Sequence, residues 1–113
     1  MKIGIVGSRN ITYVDLARFI PPQCTEIVSG GARGVDSCAA KFAREHGIKL
    51  TEFLPEYHVY GRGAPLMRNT QIVEYADMVL AFWDGTSRGT RDTIHKCRSL
   101  HKPIRIFRFV LKK

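Results

Sequence analysis

Six of the eleven arginines in this 113-residue chain crowd into a few short stretches, and their type and spacing suggest anion chemistry. Arg9, Arg33, Arg62 and Arg88 lie within GSRN (7–10), SGGARG (29–34), PEYHVYGRG (55–63) and DGTSRG (84–89), while Arg68 and Arg91 follow a few residues later. No lysine joins them. A guanidinium is a planar fork that pairs with phosphate or carboxylate through two parallel hydrogen bonds, which an ammonium cannot do. Three of these stretches also carry the small residues that let a ligand approach the backbone: Gly7 and Ser8; Ser29, Gly30, Gly31 and Gly34; Ser87, Gly89 and Thr90. In the second, Ser29 closes an apolar run, Gly30 and Gly31 permit a tight turn, and Gly34 opens a helical pattern. The free N–H groups and dipole of that helix would face an anion. Asp36 falls in the first helical turn, where it can complement the dipole or meet a ligand hydroxyl.

Several chemistries can be set aside. SGGARG approximates G-x-G-x-x-G with Ser29 at the first glycine and Glu52 18 residues after Gly34, but the dinucleotide fingerprint belongs on a first strand and this one follows the second. No Walker A lysine follows any of the glycines, which argues against a P-loop NTPase. GTSRG (85–89) matches the nucleophile elbow G-x-S-x-G, yet only one strand follows Ser87, and Asp92, His95 and His101 lie in the helix between. The four histidines show no metal-ligand spacing, so neither a metal nor another resident cofactor is expected. Trp83, ending the fourth apolar run, could stack on a base or simply pack. Tyr57, His58 and Tyr60 could cover a ligand or anchor their loop.

The elements that must position these residues follow from hydrophobic periodicity. Five apolar strands are expected at about 2–7, 25–29, 48–53, 77–83 and 103–109, with helices at about 12–20, 34–46, 65–76 and 89–101. Tyr13, Leu16, Ala17 and Ile20 set the period of the first helix, which Pro21-Pro22 stops. Strict alternation implies an α/β, Rossmann-like domain of about five mostly parallel strands with helices on both faces, spanning 1–113 as one unit. The strand-to-helix turns then meet at one end of the sheet, where such folds bind ligands.

Composition agrees with a soluble domain: 44% apolar, 25% charged, and a longest apolar run, MVLAFW, of six residues, too short for a membrane span. Met1 leads straight into KIGIVG, so no signal peptide is expected, and three cysteines without CxxC spacing suggest reduced thiols, so a cytoplasmic setting is expected. A formal charge of +8 favours a nucleotide or nucleic-acid partner.

Taken in order, IGIVGSRN, IVSGGARGVD, Arg68-Asn69 and YADMVLAFWDGTSRGT resemble the SLOG superfamily, especially its small YspA-type branch, from Lys2 to about Phe107. The resemblance implies a Rossmann-like fold that binds nucleotides, nucleotide derivatives or nucleic acid at the glycine turns, and homo-oligomers are common among its members. It implies phosphate contacts from Gly7, Ser8, Arg9, the Gly30–Gly34 turn, Arg33, Arg68, Asn69, Ser87, Gly89 and Thr90. Similarity to the LOG phosphoribohydrolases implies a nucleoside 5′-monophosphate N-glycosidase with Arg68 as the catalytic arginine. Thr93 stands where those enzymes have glutamate, so the nearest carboxylate is that of Asp92. Similarity to DprA, through VGSR and SGGARG, implies single-stranded DNA binding. A nucleotide-binding or sensing module is the leading expectation, with Asp36 or Asp92 meeting a ribose hydroxyl.

Overall fold

The computed structural model describes residues 1–109. Five strands, β1 (Lys2–Gly7), β2 (Glu26–Ser29), β3 (Lys49–Glu52), β4 (Met78–Trp83) and β5 (Ile104–Arg108), form one sheet in the order β3-β2-β1-β4-β5. Every pairing is parallel, so the domain has a Rossmann-like α/β fold. Four helices accompany them: α1 (Val35–Glu45), the single turn α2 (Tyr57–Tyr60), α3 (Ala64–Tyr75) and α4 (Arg88–Ser99).

The central strands are buried on both faces, which their unbroken apolar sequences, KIGIVG and MVLAFW, require. On one face Ile3, Ile5, Ile27, Leu80 and Phe82 pack beneath Val35, Ala39 and Ala43 of α1. On the other, Val6, Val28, Val79 and Ala81 meet Ile72, Val73 and Ala76 at α3 and Ile94 and Cys97 of α4. Among the described residues no helix is long and apolar enough to cross a membrane.

The helix expected over 12–20 does not form. Only a 3-10 turn, Leu16–Arg18, interrupts an irregular crossover. Tyr13 is 72% exposed, whereas Ile11, Val14 and Leu16 enter the core. That buried spacing of three then two has no helical face. Ile11, Thr12 and Val14 are β-branched and weak helix formers, so core contacts outweigh the apparent period. The loop expected over 55–63 contains the short turn α2 and a 3-10 turn, Gly61–Gly63.

The strand order reverses between β1 and β4. Ser8 N donates to Phe82 O at 3.0 Å and Asp84 N to Ser8 Oγ at 3.1 Å, tying the two strand ends together at that switch point.

Candidate functional site

A crevice of about 460 Å³ opens at this switch point, where the carboxyl ends of parallel strands leave a gap between diverging connections. Its walls come from three strand-to-helix turns and from α3. The first turn supplies Gly7, Ser8, Arg9 and Asn10, the second Gly30 and Ala32 with Asp36 of α1, and the fourth Ser87, Arg88, Gly89 and Thr90. From α3 come Pro65, Leu66, Arg68, Asn69 and Ile72. A smaller hollow of about 310 Å³ shares Arg9, Gly30, Ala32 and Arg68 and extends to Gly31, Arg33 and Pro55.

Arg68 is the centre of the arrangement. Only 8% exposed, it donates from Nη1 to the Gly30 carbonyl at 2.6 Å, and its buried Nε has no partner. A side chain at Gly30 would collide with this guanidinium, so the glycine is needed for the arginine to lie against the turn. Burial pulls the guanidinium below its ordinary pKa; the Asp36 carboxylate opposes that pull and Arg9 adds to it. Asp36, 7% exposed, accepts a hydrogen bond from Ala32 N at 3.1 Å. Burial pushes its carboxyl above the usual range, against the Ala32 N–H and the charges of Arg68 and Arg9, with Glu52 reinforcing the rise.

The second glycine that the backbone demands is Gly34, the residue before α1. Its φ of 79° lies in left-handed space, and a Cβ would stand 2.5 Å from the Arg9 carbonyl oxygen. Gly34 thus lets the first and second turns touch, although it does not line the crevice itself. Ser29 is likewise internal, its hydroxyl accepting from Gly31 N at 3.4 Å.

The fourth turn is organised by Asp84. Its Oδ1 accepts from Thr86 N at 2.9 Å and Ser87 N at 2.8 Å, and its Oδ2 from Ser87 Oγ at 2.9 Å. Burial alone would raise this carboxyl, but the Thr86 and Ser87 donors, with Asn10, hold it well below the usual carboxylate range. Because Ser87 turns its hydroxyl to Asp84, it makes no cap hydrogen bond to α4. Arg88, Gly89 and Thr90, at the start of α4, therefore line the crevice where no side chain caps the helix. An anion seated there would meet backbone N–H groups, the positive end of the helix dipole and the guanidinium of Arg68.

The structure brings together Gly7, Ser8, Arg9, Gly30, Asp36, Arg68, Asn69, Ser87, Gly89 and Thr90 in the main crevice, and adds Gly31 and Arg33 in the adjoining hollow. It separates others. Asp92 does not line either cavity: its Oδ2 accepts from Asn69 Nδ2 at 3.1 Å and Lys96 Nζ at 2.7 Å, and Lys96 also donates to the Leu66 carbonyl. That network pins α4 to α3 and takes the carboxylate away from the expected position, in which it would serve catalysis or a ribose. Trp83 is also outside. Its Nε1 donates to Ser87 O at 3.1 Å, and Arg91 and Arg108 flank its ring. Tyr57, His58, Tyr60 and Arg62 line neither cavity.

Sequence reasoning missed Asn10, Ala32, Leu66 and Ile72 as walls, and gave Thr93 no role as one. Thr93, 1% exposed, donates from its hydroxyl to Gly89 O at 3.2 Å, one helical turn earlier. Its spacing of three from Thr90 on α4 was the available signal. Among the described residues no group of three His, Cys, Asp or Glu side chains could hold a metal ion.

No protein-family model matches the chain. Over 89 residues it is 34% identical to the Gene 61 protein of Mycobacterium phage D29, an alignment that covers 74% of this chain and 71% of the phage protein. The chain belongs to the family of that phage protein. At this identity and coverage, the two chains share more than a motif; the alignment takes in most of a domain in which the crevice draws on three separate turns.

Proposed function

We propose that this protein binds a nucleotide or nucleotide derivative at the switch-point crevice, with a phosphate held between Arg68 and the uncapped start of α4. The observation that carries the reading is Arg68: a guanidinium more than nine-tenths buried, satisfied at Nη1 and unpartnered at Nε, on the wall of a crevice. Burying such a charge is costly unless something pairs with it. The Asp36 carboxylate attracts it but makes no ion pair with it among the described residues. A phosphate would supply acceptors in the required fork geometry. Arg9 and Arg88 at the rim add positive charge, and Asp36 faces the same space, where it can accept from a sugar hydroxyl.

Membership of the SLOG superfamily, proposed from the glycine and arginine motifs, fits the same ligand class. Within that class binding without turnover is the better reading. The LOG-type mechanism needs a carboxylate partner for Arg68, and Asp92 spends its own on Asn69 and Lys96.

A thermal-shift comparison of nucleosides with their mono-, di- and triphosphates tests the proposal. A ligand at about a hundred times its Kd adds roughly 2.7 kcal/mol, a rise of several degrees in a domain of this size. Nucleotides should raise Tm and the matching nucleosides should not. Equal shifts by both, or none by any nucleotide, would sink the phosphate site.

A further inference from the structure

The formal charge of +8 is not spread along the chain. Residues 1–87 hold nine Lys/Arg against nine Asp/Glu, whereas from Arg88 onward nine Lys/Arg face one acid, Asp92. In the fold, the described part of that second portion is α4 and the edge strand β5. The two lysines of this part are occupied, Lys96 by Asp92 and the Leu66 carbonyl, Lys102 by the Ala76 carbonyl. Its five arginines, Arg88, Arg91, Arg98, Arg105 and Arg108, are all exposed. The ion pairs among the described residues, Lys49–Glu26 and Lys96–Asp92, both use lysine and leave these arginines unpaired by carboxylates.

Four of the five gather on the α4 side of the sheet. Arg88, Arg91, His95 and Arg98 recur at i, i+3, i+7 and i+10, a stripe about 15 Å long on one side of α4. Asp92 and Lys96 lie on the side toward α3. Arg91 turns instead toward β5, where it and Arg108 flank the Trp83 ring at 5.8 Å and 5.7 Å. Arg105, paired in register with Leu80, faces the other side of the sheet, where Leu80 and Phe107 pack. The opposite edge differs: β3 carries Lys49 and Glu52, and Lys49 pairs with Glu26 of β2. Charged side chains on an edge strand deter pairing with other chains, and mixed signs suffice for that. A surplus of one sign on one edge costs self-repulsion, which a polyanion would relieve.

We propose that the α4–β5 edge is a docking surface for the phosphodiester backbone of duplex DNA. Guanidinium forks fit phosphate oxygens, and a duplex presents one charge per about 1.7 Å of its axis to a stripe of this length. Single-strand binders use open aromatic platforms, whereas Trp83 is held between two arginines with its indole N–H bonded to Ser87 O. The surface shares only Arg88 with the crevice, and Arg68→Met should leave it intact.

Fluorescence anisotropy of a labelled duplex of arbitrary sequence, about 20 base pairs long, tests the proposal with the purified full chain between about 50 and 200 mM salt. Four phosphate contacts predict a log–log salt slope near −3.6, an affinity loss of about 150-fold across that range. Arg91→Gln/Arg98→Gln should flatten the slope by about 2. Lys41→Gln/Arg44→Gln, the same charge change on exposed positions of α1, should leave it unchanged. Circular dichroism confirms that both pairs fold, since all four side chains are exposed. A flat salt response, equal losses from the two double variants, tighter binding of a single strand of equal length, or binding only to phosphatidylserine vesicles would each overturn the assignment.

Discussion

Arg68 on α3 and Arg98 on α4 belong to neighbouring helices packed against the same face of the sheet, and the molecule treats them oppositely. Arg68 lies inside, folded against Gly30, with its charge desolvated and one donor unspent. Arg98 lies outside, one of five exposed arginines in the portion of chain that carries the entire net charge. A buried guanidinium has strong, directional interactions because water does not compete. An exposed one is screened and acts mainly through numbers and long-range attraction. The proposed crevice site therefore calls for one small anion, and the proposed edge surface for many phosphates held loosely.

The sharpest break of this contrast is Arg68→Met. Losing the buried guanidinium at the crevice should weaken nucleotide binding by about 2–5 kcal/mol, thirty-fold or more, measured by isothermal titration calorimetry. The fold should survive, because replacing a poorly paired buried charge with an apolar side chain is often neutral or stabilising. Arg98→Met should change nucleotide affinity by less than about twofold. Comparable losses in the two variants would erase the distinction between crevice and edge.

Next in size is a pair of glycine substitutions that separates support from contact. Gly34→Ala combines a left-handed φ with a clash against the Arg9 backbone, which cannot swing aside. It should cost about 3 kcal/mol and lower Tm by more than about 10 °C. Gly30→Ala meets only the Arg68 side chain, which can move. It should cost little stability but expel the guanidinium from its seat, so that nucleotide affinity falls nearly as far as in Arg68→Met. A Gly30→Ala protein that binds normally would show that Arg68 need not lie against the turn.

The smallest expected effect is a pH dependence. Burial raises the Asp36 carboxyl above its ordinary value, so the folded state holds its proton more tightly than the unfolded chain does. The stability from this group is complete below the unfolded value of 3.8 and is lost as pH rises through the folded value. At neutral pH Asp36 therefore supports the fold less than it does in acid. Asp36→Asn, whose amide oxygen can still accept from Ala32 N, should raise Tm by a few degrees at about pH 7 and by nothing at about pH 3. A gain that persists in acid would assign the effect to packing instead of charge.

The arginine-bearing turns are legible in the sequence because they are local: glycines, polar residues and the ends of apolar runs lie side by side in the chain. The same locality misleads at 12–20, where four apolar residues at helical spacing conceal a crossover whose buried residues are Ile11, Val14 and Leu16. Asp92 escapes sequence reasoning for a related reason. One residue's rotation about α4 directs it to Asn69 and Lys96, and α3 is a partner that no spacing in α4 announces.

By itself, the sequence determined the alternation of strands and helices, the parallel sheet it implies, the glycine corners and the excess of arginine. These follow from steric preferences and hydrophobic periodicity within a few residues of chain. Only the tertiary structure decided which arginine is buried. It also decided that Ser87 abandons its helix for Asp84, and that the surplus charge, confined in the sequence to Arg88 onward, turns outward from α4 and β5. Those outcomes depend on desolvation and on hydrogen-bond partners 38 residues away, as for Arg68 and Gly30, or across neighbouring elements, as for Arg91 and Arg108 at Trp83. Such energies exist only once the chain has closed on itself.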